Sequence, residues 1–228
     1  MPEVVLSRGD VQLRGTASGA GPTVLLLHAG GEERGVWTPI AEILTRCGLR
    51  TVAFDLRGHG ASSGQATTLE EIAEDVVAMI EQEPGPMVVV GASLGGLAAI
   101  AALPQTVGHI AGLILVDVVP NPDPAQVRAW LEGQGLLAEF AELVDYILAH
   151  GTEPPTIGVP MLLVRAGSTS PLTDAAVDRF CAANPTITVA RIPSAGHLIA
   201  HDAPAELARL ISDHASYWLL PEQTRNSS

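Results

Sequence analysis

The sequence predicts an α/β fold. Its centre is a mostly parallel sheet with an antiparallel N-terminal edge, helices on both faces and a short helical lid. Three observations lead there. Short apolar runs alternate with segments of helical periodicity along most of the 228 residues, the signature of strand–helix–strand units in one sheet. Near the N-terminus, Val4–Ser7 and Val11–Arg14 alternate apolar and polar residues around Arg8-Gly9-Asp10, which reads as a hairpin. The third is the stretch from Pro86 to Gly96, where Met87-Val88-Val89-Val90 leads into Gly91-Ala92-Ser93-Leu94-Gly95 and an Ala-rich helical pattern follows.

The remaining elements follow in order. Gly15–Pro22 reads as a loop. Thr23–Leu27 is apolar throughout, as in a strand buried on both faces, and it ends in His28-Ala29-Gly30-Gly31. Trp37, Ile40, Ala41 and Leu44 then recur at helical spacing. Thr51–Leu56 is the next strand, and Leu69, Ile72, Val76 and Ile80 share one helical face. Met87–Gly91 and Ile110–Val119 are strands, with a helix from Leu97 to Leu103 between them. The alternation breaks over Asn121–Gly158, Pro-rich at both ends, with amphipathic patterns at Pro124–Leu131 and Leu136–Leu148. This segment is too short for its own core. It reads as a lid at about 121–158 inserted in a single domain spanning 1–228. Val159–Arg165 resumes the sheet, Thr173–Ala183 is a helix, and Ile187–Ile192 is the last strand. Pro204–His214 closes the fold with Pro at an early helical position, and Leu220–Ser228 is expected to fray.

Composition excludes several function classes. The net charge of −13 argues against a nucleic-acid surface. There is no Lys, so all 12 basic residues are Arg and a lysine base or Schiff base is impossible. Cys47 and Cys181 lack metal-like spacing and read as buried free thiols. No apolar stretch reaches the ~18 residues that span a bilayer, and no basic-then-apolar leader opens the chain. A cytoplasmic protein with no membrane partner is expected; oligomeric state is not legible.

The apolar run, turn and helix around Ser93 form a G-x-S-x-G nucleophile elbow. The turn lifts the Ser93 hydroxyl above the sheet and turns the Leu94 N–H into the same space. A hydroxyl needs a neighbouring base. Of seven histidines, only His197 lies on a loop just after the final strand, beside Gly196, which is expected to permit an unusual backbone angle. His28 is expected to order its own loop by hydrogen bonds. A developing oxyanion needs pre-aimed donors; Leu94 N–H is one, and Gly30 N–H, on the loop after Thr23–Leu27, is the other. Loops at the carboxyl ends of parallel strands converge on one edge, which brings these residues together.

Four stretches carry a resemblance to a known family. They are Leu25–Gly31, Asp55-Leu56-Arg57-Gly58-His59-Gly60-Ala61-Ser62, Gly91–Gly96 and Ala195-Gly196-His197. The chain resembles the α/β-hydrolase superfamily, in the branch of small esterases, lactonases, C–C hydrolases and cofactor-free haloperoxidases. The resemblance implies Ser93 as nucleophile and His197 as base, with Asp55 and Arg57 stabilising their loop. It usually carries an acid on the loop after the Val159–Arg165 strand, and here Ser170 stands at or near that place. Asp117, ending the preceding strand, and Asp174, at a helix start where an N-cap role is open, are the substitutes; absence of an acid is the third alternative. The expected function is cleavage of a small ester or lactone through an acyl-enzyme, with no metal or organic cofactor. Ala29, Trp130 and Phe140 are expected to touch substrate, with Leu131, Leu137 and Leu143 as further lid candidates. The alternative is a hydrolase-like fold used for ligand binding or a non-hydrolytic reaction. C–C, thioester and perhydrolytic chemistry also remain open.

Overall fold

A computed structural model describes residues 2–150, 155–167 and 169–219. Its strands are β1 (Glu3–Arg8), β2 (Val11–Ser18), β3 (Thr23–Leu27), β4 (Arg50–Phe54), β5 (Met87–Ala92), β6 (Ile110–Val116), β7 (Met161–Arg165) and β8 (Thr188–Arg191). They form one sheet in the order β1-β2-β4-β3-β5-β6-β7-β8. β1 and β2 pair antiparallel, and β2 joins β4 antiparallel. All other pairs are parallel. The chain runs outward from β3 to β4 and then returns to place β5 on the other side of β3. That reversal opens a crevice at the carboxyl ends of β3 and β5, the usual binding place in such sheets.

Alternation along the strands builds two cores. Leu25, Leu27, Val89, Leu113, Leu115 and Leu163 face one side. There they meet α2 (Leu69–Gln82), α3 (Leu94–Thr106) and α6 (Asp174–Ala183) through Ile72, Val76, Ala98, Ala102, Val177 and Phe180. Val24, Leu26, Val88, Val90, Ile114 and Val116 face the other side. They meet α1 (Thr38–Arg46) and α8 (Pro204–Leu219) through Ile40, Leu44, Leu207, Ile211 and Trp218. Between β6 and β7 the described residues form α4 (Pro124–Gly133) and α5 (Ala141–Ala149), and α7 (Ile199–Asp202) precedes α8.

Four expectations need correction. Gly15–Ser18 belongs to β2, because small residues there pair with β4: Gly15 lies opposite Phe54, and a Cβ at Gly15 would come within 2.8 Å of that ring. β6 stops at Val116, because Asp117 turns to a positive φ of 51°. Cys47 is exposed at the C-terminus of α1 and Cys181 is half-buried, so neither is a core thiol. Thr173, not Asp174, caps α6 by accepting the Ala176 N–H. The expected fraying of Leu220–Ser228 lies outside the described residues.

Candidate active site

β5 is buried along its whole length and delivers the chain to Ser93, which sits at φ 44° and ψ −112° before α3 begins. Such a backbone costs a non-glycine residue about 1–3 kcal/mol and persists only where its surroundings hold it. The surrounding glycines are required by space. A Cβ on Gly91 would lie 2.5 Å from Gly96 Cα, and one on Gly95 would lie 2.6 Å from the Leu27 carbonyl oxygen. The elbow is therefore wedged against the end of β3. The Gly95 N–H donates to His28 O at 3.2 Å, and the Ser93 N–H donates to Val116 O at 3.2 Å. Leu94 opens α3, where amides have no acceptor within the helix.

The loop after β3 is built around a buried imidazole. His28 Nε2 accepts the Leu56 N–H at 2.9 Å, so the ring proton is on Nδ1, which donates to Ala29 O at 2.8 Å. Burial pushes the His28 pKa down to about 4, so the ring stays neutral. The unfolded chain therefore binds a proton below pH 6.5 that the folded chain refuses until about pH 4. Stability falls as pH drops through that window, by about 3 kcal/mol for the gap between those two values. Urea titrations of wild type and His28→Gln at several pH values check this. The variant starts less stable at neutral pH, yet loses less between pH 6.5 and pH 4.

Further along the same loop, the Ala29 N–H donates to Glu32 Oε2 and the Glu32 N–H donates to Ala29 O, both at 3.1 Å. This closes the turn that presents Gly30. A Cβ on Gly30 would lie 3.7 Å from Leu94 Cδ2, so the two residues expected to supply oxyanion donors are neighbours. Burial pushes the Glu32 carboxyl above its ordinary value.

Asp117, at the end of β6, is 2% exposed, and His197, between β8 and α7, is 7% exposed. His197 Nδ1 lies 2.8 Å from Asp117 Oδ2. A carboxylate can only accept, so Nδ1 carries a proton, and in a neutral ring Nε2 can accept one. Asp117 Oδ1 accepts the Ala166 N–H at 2.8 Å, and Oδ2 also accepts the Ser170 hydroxyl. Asp174 lies elsewhere. It is largely exposed and paired with Arg165 at 2.7 Å, and that hydrogen bond holds its carboxyl below the usual range. Gly196 is not among the positive-φ glycines, so the unusual backbone angle expected there takes no left-handed form; a Cβ there would sit 2.8 Å from Thr169 Oγ1, the tip of an exposed side chain.

One cavity of about 100 Å³ collects Ala29, Gly30, Ser93, Leu94, Asp117 and His197. Trp130 and Phe140, from the segment between β6 and β7, line it, together with Leu131 and Leu143; Leu137 does not. Trp130 meets the His197 ring edge-on at 4.5 Å, and Phe140 stacks on His59 with centroids 5.0 Å apart. Asp55 and Arg57 hold loops: Asp55 accepts the Arg34 and Ala61 N–H groups, and Arg57 pairs with the buried Asp75 at 2.6 Å. Among the described residues no cluster of three His, Cys, Asp or Glu could hold a metal ion. No described helix is long and apolar enough to cross a membrane. Two contacts escaped the sequence reading, Glu32 on Ala29 and Ser170 on Asp117. Each joins residues through a loop turn or across two strands, which no periodicity reports.

Fold and elbow together describe the α/β proteins that carry a reactive residue on a strained turn after a central strand. The chain belongs to the alpha/beta hydrolase fold family, whose pattern matches residues 22–157. It is 36% identical over 127 residues to protein phosphatase methylesterase 1 of Mus musculus, covering 51% of this chain and 33% of that protein. It is 38% identical over 140 residues to pimeloyl-[acyl-carrier protein] methyl ester esterase of Methylococcus capsulatus, covering 58% and 54%. The matched stretches thus span about a third to a half of these relatives. Among solved structures, a thermophilic esterase from Thermogutta terrifontis superposes with a TM-score of 0.80 at 22% identity, covering 96% of this chain and 100% of that one.

Proposed function

We propose that the protein is a serine hydrolase that cleaves small carboxylic esters or lactones through an acyl-enzyme. Ser93 attacks the carbonyl while His197 Nε2 takes its proton. Asp117 holds the imidazole in the tautomer that can do so and stabilises the imidazolium that forms. The N–H groups of Leu94 and Gly30 hold the oxyanion. The alcohol leaves with the proton from His197, and water, activated by the same ring, releases the acid. The segment carrying α4 and α5 acts as a lid, and its apolar side chains give the cavity a preference for an uncharged acyl group. Ala29, Trp130 and Phe140 contact that group.

The observation that carries the reading is the His197–Asp117 pair sharing one cavity with a serine on a strained elbow. The esterase names of the relatives agree with it. The ligand-binding alternative rests on the missing acid at Ser170; the Asp117 carboxylate on His197 favours the enzyme reading. Incubation with a fluorophosphonate probe and with p-nitrophenyl butyrate tests the proposal. One probe per chain and steady ester turnover are expected. A folded protein that takes up no probe and turns over no ester contradicts the reading.

A further inference from the structure

Asp117 is a buried carboxylate held by hydrogen bonds. Among the described residues its donors are the Ala166 N–H on Oδ1, and His197 Nδ1–H and the Ser170 hydroxyl together on Oδ2. The direction of the Ser170 bond is fixed by its other partner. Ser170 Oγ accepts the Leu172 N–H at 3.0 Å, so its single proton is free to point at Asp117. A chain of donors thus runs from Leu172 through Ser170 to the oxygen that His197 uses.

We propose that Ser170 is a positioning residue that shares Asp117 Oδ2 with His197 and thereby holds down the basicity of the imidazole. The proposal rests on the reading of Asp117 as the acid partner of His197. A carboxylate oxygen that takes a second strong donor gives less charge to the first. The imidazolium is then less stabilised than by an unshared carboxylate, which favours the free base that Ser93 needs. The hydroxyl also orients the carboxylate. With Ala166 on the other oxygen, it leaves the Asp117 group one arrangement in which Oδ2 faces His197.

Other charged groups lie on neighbouring elements. Glu32 lies on the loop after β3 and acts electrostatically on His197. Asp202, from α7, accepts the Gly196 N–H at 2.9 Å and pairs with His201. Arg165 on β7 is engaged by Asp174. Substitution at Ser170 leaves all of these in place, so a change in the titration of His197 reports the lost hydroxyl.

The test is the pH profile of kcat/KM for p-nitrophenyl butyrate with wild type, Ser170→Ala, Ser170→Thr and Asp117→Asn. In Ser170→Ala the acid limb is expected to move up by about half to one pH unit, and plateau kcat to fall by up to about tenfold. Ser170→Thr keeps the hydroxyl and the wild-type limb. The low-field proton resonance of His197 Nδ1–H moves further downfield in the alanine variant. Ser170→Cys, similar in size and a much weaker donor, gives the same upward shift if the alanine variant does not fold. A lower melting temperature alone does not count, since the Leu172 N–H loses its acceptor in any case. An unmoved acid limb in Ser170→Ala, with Asp117→Asn inactive, overturns the proposal and leaves the acid assignment standing. Full activity in Asp117→Asn overturns the assignment and the proposal with it.

Discussion

Ser93→Ala abolishes ester turnover, with kcat falling on the order of 10⁶-fold and only oxyanion and binding contributions left. The proposed attack needs a hydroxyl raised above the sheet at the tip of the elbow, where Ser93 stands. The same position predicts an opposite effect on stability. Ser93 is held at φ 44°, where a side chain is strained and glycine is not. Ser93→Gly is therefore inactive yet more stable than wild type, by about 1 kcal/mol. Steady-state kinetics and urea midpoints on the two variants check both halves. On the proposed function, activity and stability oppose each other at this residue, because the turn that exposes the Ser93 hydroxyl is one the backbone resists.

Asp117→Asn lowers kcat on the order of 10⁴-fold, with KM little changed. The amide can present its NH₂ to His197 Nδ1, which moves the ring proton to Nε2, and the ring then cannot accept a proton from Ser93. The Ala166 N–H and the Ser170 hydroxyl still need acceptors where Asp117 Oδ1 and Oδ2 now stand, and one amide oxygen cannot serve both. Asp174→Asn is the control. It loses a pair with Arg165 that solvent screens because Asp174 is largely exposed, and keeps its turnover. Equal activity in the two variants would return the third member of the site to an open question.

The sheet is legible in the sequence because its central strands β3, β5, β6 and β7 are largely apolar and buried. β3 is Thr23–Leu27 in sequence and in structure alike. Strand ends were less legible. β2 extends through Gly15 and Ala17, whose small side chains read as loop until Phe54 is placed beside them. β6 ends early because one aspartate takes a left-handed turn, which no propensity forecasts. Ser93 and His197 stood out through spacing and position after strands. The carboxylate partner of His197 did not, because an aspartate at a strand end and one at a helix start look alike until the chain is folded. The geometry separates them: Asp117 is buried against His197, and Asp174 is exposed against Arg165. Ser170 stands at or near the place where an acid is expected, and in the structure its hydroxyl donates to Asp117.

The central claim is a covalent intermediate on Ser93. Intact-mass spectrometry of the protein, acid-quenched during turnover of p-nitrophenyl butyrate, tests it most directly. The account predicts a fraction of chains heavier by one butyryl group, with the adduct on the peptide carrying Ser93 and absent in Ser93→Ala. Turnover at the same rate with no adduct on that peptide, or with the adduct on another residue, would contradict it.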